Sequence, residues 1–169
     1  VSRYNASVTE KMLDAAAAEH RARGGLKSDL AIVEAPGSYE LVALAAAAAR
    51  TGLYAGVCCL GCIVKGETRH DEFIAHAVAT GLAQISVATG VPVAFGVLTT
   101  TTSGQAAARA GGAKGNKGAE AMSAVLDAMA AVAAMHQAAA AKTPGFEHRA
   151  SGMAADKLTG AARASGGGR

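Results

Sequence analysis

The amino-acid sequence predicts an α/β domain built on a parallel sheet, and three observations carry that reading. Two wholly apolar runs, residues 56–64 and 91–98, lack the polar alternation of a half-exposed strand, as expected of strands buried on both faces. Stretches of helical periodicity separate these runs from each other and from a shorter one at 30–35, so crossover βαβ connections follow, with helices on both faces. Polar residues gather where an apolar run stops and a helix pattern starts, above all in residues 61–76. That is where open α/β folds place their chemistry.

Taken in order, Val1 to Asn5 read as the end of an element already under way. A helix follows, with Ser7 and Glu10 at capping-box spacing, Val8, Met12, Leu13 and Ala16 on one apolar face, and Gly24-Gly25 as its stop. Residues 30–35 read as a short strand, Pro36-Gly37-Ser38 as a turn with Ser38 as N-cap, and Glu40 to Arg50 as a helix. After the 56–64 strand, a helix from about Asp71 to Thr89 carries Ile74, Val78, Leu82 and Ile85 at helical spacing, and Gly90 and Pro92 end it. Past the 91–98 strand, Thr102 and Gln105 offer a capping box for a short helix to Arg109. A glycine-rich loop at 111–118 then leads into an Ala/Met/Val helix to about Ala141. Three strands make a thin doubly wound sheet, so either residues 1–4 end a further strand or a partner covers an edge. The domain is placed at 1–141. Residues 142–169 read as a flexible tail, weakly basic and rich in Ser and Gly, in which Met153 to Ala164 could form a helix on meeting a partner.

Composition narrows the function. Hydrophobic residues make up 51% of the chain and charged ones 17%. Much of the apolar share is alanine, so self-association is expected. A net charge of +3 without a Lys/Arg run argues against nucleic acid. No uninterrupted apolar run looks long enough to span a bilayer, and no signal peptide is visible; a cytoplasmic protein is expected. Cys58, Cys59 and Cys62 sit in a strand-like run. Alternation sends Cys59 and Cys62 to opposite faces, so buried structural thiols fit better than a metal or redox pair.

Two loops could carry chemistry. Gly66-Glu67-Thr68 lies just before a helix, where backbone N–H groups and a hydroxyl can hold a phosphate. Arg109, Lys114 and Lys117 surround the second loop, with Gly104, Gly111, Gly112, Gly115 and Gly118. It reads either as a phosphate cradle or as a glycine-rich hinge with solvated charges; Walker spacing is absent. His70, at the turn into a helix beside Asp71 and Glu72, reads as a proton shuttle or as a capping residue. His76 stands six positions on, on another helix face, which argues against zinc. His20, His136 and His148 receive no role. Neither a nucleophile elbow nor a dinucleotide loop is present. The residues alone reach as far as a phosphate-containing small molecule, acid/base chemistry, and no metal or cofactor.

Five segments carry a resemblance. Pro36-Gly37-Ser38-Tyr39-Glu40, Leu60 through His70, Gly81-Leu82-Ala83-Gln84, Gly90 through Thr100, and Arg109-Ala110-Gly111 with Gly115 through Glu120 stand in the order and spacing of the 6,7-dimethyl-8-ribityllumazine synthase family. The chain resembles that family over about residues 1–136. The resemblance implies a flavodoxin-like α/β/α sandwich assembled into pentamers, with each site between two subunits. It implies a transferase that uses no cofactor and acts in riboflavin biosynthesis. In that reaction 5-amino-6-ribitylamino-2,4-pyrimidinedione condenses with 3,4-dihydroxy-2-butanone 4-phosphate, releasing phosphate and water.

Roles carry over by position. Tyr4, where the family usually has Phe, implies stacking on the pyrimidine, with Asn5 beside it. Ser38, Tyr39 and Glu40 imply the ribityl and ring contacts, and Cys62, Ile63 and Val64 the pyrimidine site. Gly66, Glu67 and Thr68 imply the phosphate turn, and His70 the proton shuttle. Phe95, Arg109 and Lys117 imply contributions from the neighbouring subunit, Arg109 being the main phosphate ligand through its bidentate fork. Lys114 is shifted by one position from the family's pattern. The short loop Gly111–Gly115 resembles the icosahedral sixty-subunit shells, in which riboflavin synthase or other cargo is the implied partner. The rival reading is a catalytically silent cage or flavin-binding shell; joint retention of Glu40, His70, Arg109 and Lys117 favours the enzyme.

Overall fold

The computed structural model describes residues 1–143 and Gly145. Strands β1 (Val57–Val64) and β2 (Val93–Thr100) pair in parallel, in register from Val57 with Val93 to Val64 with Thr100. Helix α1 (Ala6–Ala22) precedes a 3-10 turn at Lys27–Asp29; α2 (Leu41–Arg50) precedes β1, and α3 (His70–Thr89) crosses from β1 to β2. A short α4 (Ser103–Ala108), a hairpin of β3 (Ala110–Gly112) and β4 (Gly115–Asn116), and α5 (Lys117–Ala140) complete the domain.

Residues 1–3 lie along the other edge of β1. Ser2 N donates to Leu60 O at 2.8 Å, Arg3 N to Ala35 O at 2.9 Å, and Ala35 N to Val1 O at 2.8 Å. The order across the sheet is therefore 35, 2, β1, β2, with Ser2 and Ala35 forming a parallel bridge. The expectation that residues 1–4 end a further strand is met at this bridge. The strand expected at 30–35 does not form: only its end, Val33–Ala35, has a neighbour to pair with. Without a ladder alongside, Ile32 and Val33 stay 55% exposed.

Two apolar clusters make the sheet the middle of three layers. Leu60, Cys62 and Leu98 pack with Val8, Met12 and Ala16 of α1 and Met122 and Val125 of α5. Cys59, Ile63 and Val97 pack on the opposite face with Leu41 and Ala45 of α2 and Val78, Leu82 and Ile85 of α3. Fully burying a side chain such as Leu82 contributes about 2 kcal/mol. Cys59 and Cys62 thus face opposite ways, as alternation requires, and all three cysteines are free. α1 and α5 approach closely at Gly118, where an added Cβ would stand 2.0 Å from the Met12 carbonyl oxygen.

The caps differ from expectation in instructive ways. α1 starts at Ala6 with Asn5 in the N-cap position, so Ser7 lies inside the helix. α2 starts at Leu41 with Glu40 preceding it, so Ser38 is a turn residue and no cap. At α4, Thr102 accepts from Gln105 N as expected, while the Gln105 side chain turns to Thr101 instead. The 24-residue α5 is also long and apolar enough, by length and composition, to cross a bilayer. Its alanines pass that test, but α5 packs on α1 and the sheet, and Arg23, just past the end of α1, bonds Ser123 and Asp127. Apart from Lys142, Thr143 and Gly145, the expected tail and its 153–164 helix lie outside the described residues.

Candidate active site

The site forms where β1 and β2 end together. Lys65 N donates to Thr100 O at 2.8 Å, after which the chain turns outward through Gly66, Glu67 and Thr68, all exposed, to His70, the first residue of α3. Cys62 and Ile63 are buried in the sheet and Val64 is half-buried at its rim. Burial disfavours the thiolate in all three cysteines of β1: the Cys58 pKa is raised to about 12 and that of Cys59 to about 11, and Cys62 is raised for the same reason.

Asn5 ties the N-terminal run to this rim. It adopts a left-handed backbone (φ 59°, ψ 44°), a conformation short polar side chains tolerate. That bend lets Asn5 Nδ2 donate to Cys62 O at 2.9 Å. It also sets Tyr4 over Gly37: a Cβ added at Gly37 would stand 3.4 Å from the Tyr4 ring and 2.9 Å from Glu40 Oε2. Tyr4 is 72% exposed, so its ring is presented to solvent and not packed into the core. Tyr39 and Glu40 are exposed beside it, while Ser38 is buried with an Oγ that has no hydrogen-bond partner. Gly61 makes room for that hydroxyl, since a Cβ there would lie 2.7 Å from Ser38 Oγ.

The second group lies on different elements. Arg109 follows α4, and its guanidinium donates back to Gln105 O at 3.1 Å. Lys117 N donates to Arg109 O at 2.8 Å across the hairpin, and Lys117 Nζ pairs with Glu120. Phe95 is 46% exposed on β2 and pairs in register with Cys59. It sits five residues before Thr100, roughly 16 Å from the strand end at the usual rise. Tyr4, Asn5, Ser38, Glu40 and Cys62 are thus brought together at one rim. Among the described residues no hydrogen bond or ion pair joins them to Phe95, Arg109 or Lys117.

Charge separates the groups further. The strand-end turn carries Glu40, Glu67, Asp71 and Glu72 against Lys65 and Arg69, and Arg69 is paired with Glu72. The hairpin carries Arg109, Lys114 and Lys117 against Glu120. On the turn itself Lys65 is the cation outside any ion pair among the described residues, against an acidic balance of charges. Among the described residues there is no group of three or more His, Cys, Asp or Glu arranged to hold a metal. Sequence reasoning missed the fit of Gly61 to Ser38 and of Gly37 to Tyr4 and Glu40, since a glycine in a strand or turn announces only that something approaches. It also missed Asp71, whose buried Oδ1 has no partner beside His70.

A parallel α/β domain with polar residues gathered at the strand ends defines a small-molecule site of the open-sheet class. The comparisons specify it. The family model for 6,7-dimethyl-8-ribityllumazine synthase matches residues 1–133. A protein of Caulobacter vibrioides named 6,7-dimethyl-8-ribityllumazine synthase 1 is 48% identical over 126 residues, covering 75% of this chain and 82% of that one. The 6,7-dimethyl-8-ribityllumazine synthase of Deinococcus radiodurans is 43% identical, over 75% of this chain and 81% of its own. That of Desulfotalea psychrophila is 42% identical, over 71% and 77%. The chain belongs to the 6,7-dimethyl-8-ribityllumazine synthase family.

Proposed function

We propose that this protein is a transferase that condenses 5-amino-6-ribitylamino-2,4-pyrimidinedione with 3,4-dihydroxy-2-butanone 4-phosphate in riboflavin biosynthesis. The observation that supports it best is the convergence of Tyr4, Asn5, Ser38 and Glu40 on the end of β1 in a chain of this family. The amine adds to the ketone and water leaves to give an imine. Phosphate then departs, and ring closure with loss of a second water gives the lumazine. Tyr4 offers a ring face to the pyrimidine, and Ser38 Oγ and Glu40 offer hydrogen bonds to the ring and the ribityl hydroxyls. The rim backbone at Cys62, Ile63 and Val64 borders the pyrimidine. His70 carries protons between the reacting nitrogen, the oxygens and solvent. Gly66, Glu67 and Thr68 receive the phosphate through backbone N–H groups and a hydroxyl.

Arg109, Lys117 and Phe95 complete the site from a neighbouring copy. What supports this is their separation from the turn, whose acidic balance leaves Lys65 alone to face a phosphate. Homopentamers of a flavodoxin-like subunit supply such a neighbour, and the short hairpin loop favours closure into a larger shell. Substrates are two small molecules, and no cofactor is required by this chemistry. The test is a coupled assay with both substrates, following lumazine absorbance and phosphate release. Both signals are expected; an intact assembly with neither would leave only the cage reading.

A further inference from the structure

The hairpin between Arg109 and Lys117 has a slight ladder of its own. Ala110 pairs with Asn116 and Gly112 with Gly115, with a shift of register between them, and Gly111 to Gly115 are exposed. Two contacts tie it to the domain. Ala110 is buried in the core between α1 and α5, an apolar contact that sets no angle. The other contact is the half-buried side chain of Asn116, and its bonds are directional. Asn116 Nδ2 donates to Lys11 O on α1 at 3.0 Å, and Asn116 Oδ1 accepts from Gly118 N at 2.9 Å as the cap of α5. A carbonyl has two lone pairs, so Lys11 O can take this bond and remain in its helix. Lys117 N in turn donates to Arg109 O at 2.8 Å, so the backbones of both cations follow from where Asn116 stands. α1 begins just after Tyr4 and Asn5, and Lys11 lies about 9 Å beyond Asn5 at the helical rise. Asn116 therefore refers the hairpin to the same helix that carries the rim.

We propose that Asn116 is a positioning residue for the condensation. Its bond to Lys11 O sets Arg109 and Lys117 at the spacing from α1 at which one copy reaches its neighbour's phosphate. The proposal rests on the reading that Arg109 and Lys117 complete a neighbouring site. Asn116 itself touches no substrate and acts through Arg109. A guanidinium fork gains most when both of its N–H groups meet phosphate oxygens, so a shift of about 1 Å is enough to lose much of the contact. The two bonds also select the residue type, since one end of the amide accepts and the other donates. Aspartate would still accept from Gly118 N but would set an anion against Lys11 O.

The test compares the full chain carrying Asn116→Asp with wild type in the assay with both substrates. Aspartate keeps the cap of α5 and removes the tether alone; Asn116→Ser, a cap too short to reach α1, is the second variant and should behave alike. KM for 3,4-dihydroxy-2-butanone 4-phosphate should rise about tenfold with kcat within about threefold of wild type, and amide hydrogen exchange across residues 109–117 should quicken about tenfold. A residue that only supported the fold would lower the amount of active enzyme, and so kcat, and leave KM alone. Arg109→Ala is measured in parallel. A raised KM there with an unchanged KM in both Asn116 variants, a fall in kcat alone, or unchanged exchange at 109–117 would overturn the positioning role and leave the phosphate reading standing. An unchanged KM in Arg109→Ala would reject that reading and the positioning role with it.

Discussion

The two halves of the candidate site are built by different means. The strand-end half, Tyr4 to Glu40 and Cys62 to His70, rests on sheet backbone whose positions are fixed by ladder bonds, by the Asn5–Cys62 tie and by the fit of Ser38 against Gly61. The hairpin half, Arg109 and Lys117, hangs on a turn whose geometry comes from Gly111 and Gly115 at positive φ and from Asn116, which caps α5 and donates to Lys11 O. The first half is rigid and acidic, the second exposed and basic. The proposed function joins these two halves across neighbouring copies, and the contrast between them is what mixing experiments can test.

The comparison can be broken most severely at Gly118. Any side chain there meets the Met12 backbone, so Gly118→Val should separate α5 from α1 and lower stability by more than about 4 kcal/mol, read by denaturant unfolding. Mixing sharpens it next. Arg109→Ala should raise the KM for the butanone phosphate by about a hundredfold, and His70→Ala should mainly lower kcat, by tenfold or somewhat more, since proximity of two bound reactants supplies much of the rate. Assemblies refolded from equal amounts of the two variants should recover about a quarter of the wild-type sites. A rate no higher than the mean of the two variants would place both residues in one subunit's site.

Smaller effects follow. Folded thiols hold their protons up to about 12 at Cys58 and about 11 at Cys59, against an ordinary value of 9.0. Above pH 9 the unfolded chain loses these protons first, so stability should fall as pH rises, by about 1 kcal/mol per thiol per pH unit until the folded values are reached. A flat stability profile between pH 9 and 10.5 would contradict this. Tyr4→Phe should change little, less than about 0.5 kcal/mol in stability, because the hydroxyl of this exposed ring has no partner among the described residues. Substrate KM measured alongside reports whether the ring face is what matters.

Much of the fold was legible because it is a local property. Val57–Val64 is apolar throughout and Val93–Thr100 is so up to its last two residues, and Val78, Leu82 and Ile85 recur at helical spacing and are buried. The strand at 30–35 was not legible in the same way. Its residues have strand propensity, but a strand is assigned only where a neighbour completes its ladder, and among the described residues only Val33–Ala35 has one. Cap positions failed for a related reason: Ser7 has the right spacing, yet Asn5 takes the position because its side chain has a partner on β1.

The sequence by itself determined the α/β class, the strand–helix junction at Gly66 to His70, the opposed faces of Cys59 and Cys62, and, through five ordered segments, the family. Period and spacing are one-dimensional facts, so they survive without coordinates. Only the tertiary structure decided that Asn5 bonds Cys62 and that Gly61 and Gly37 are gaps filled by Ser38, Tyr4 and Glu40. Those facts concern which distant groups meet, and packing alone sets them.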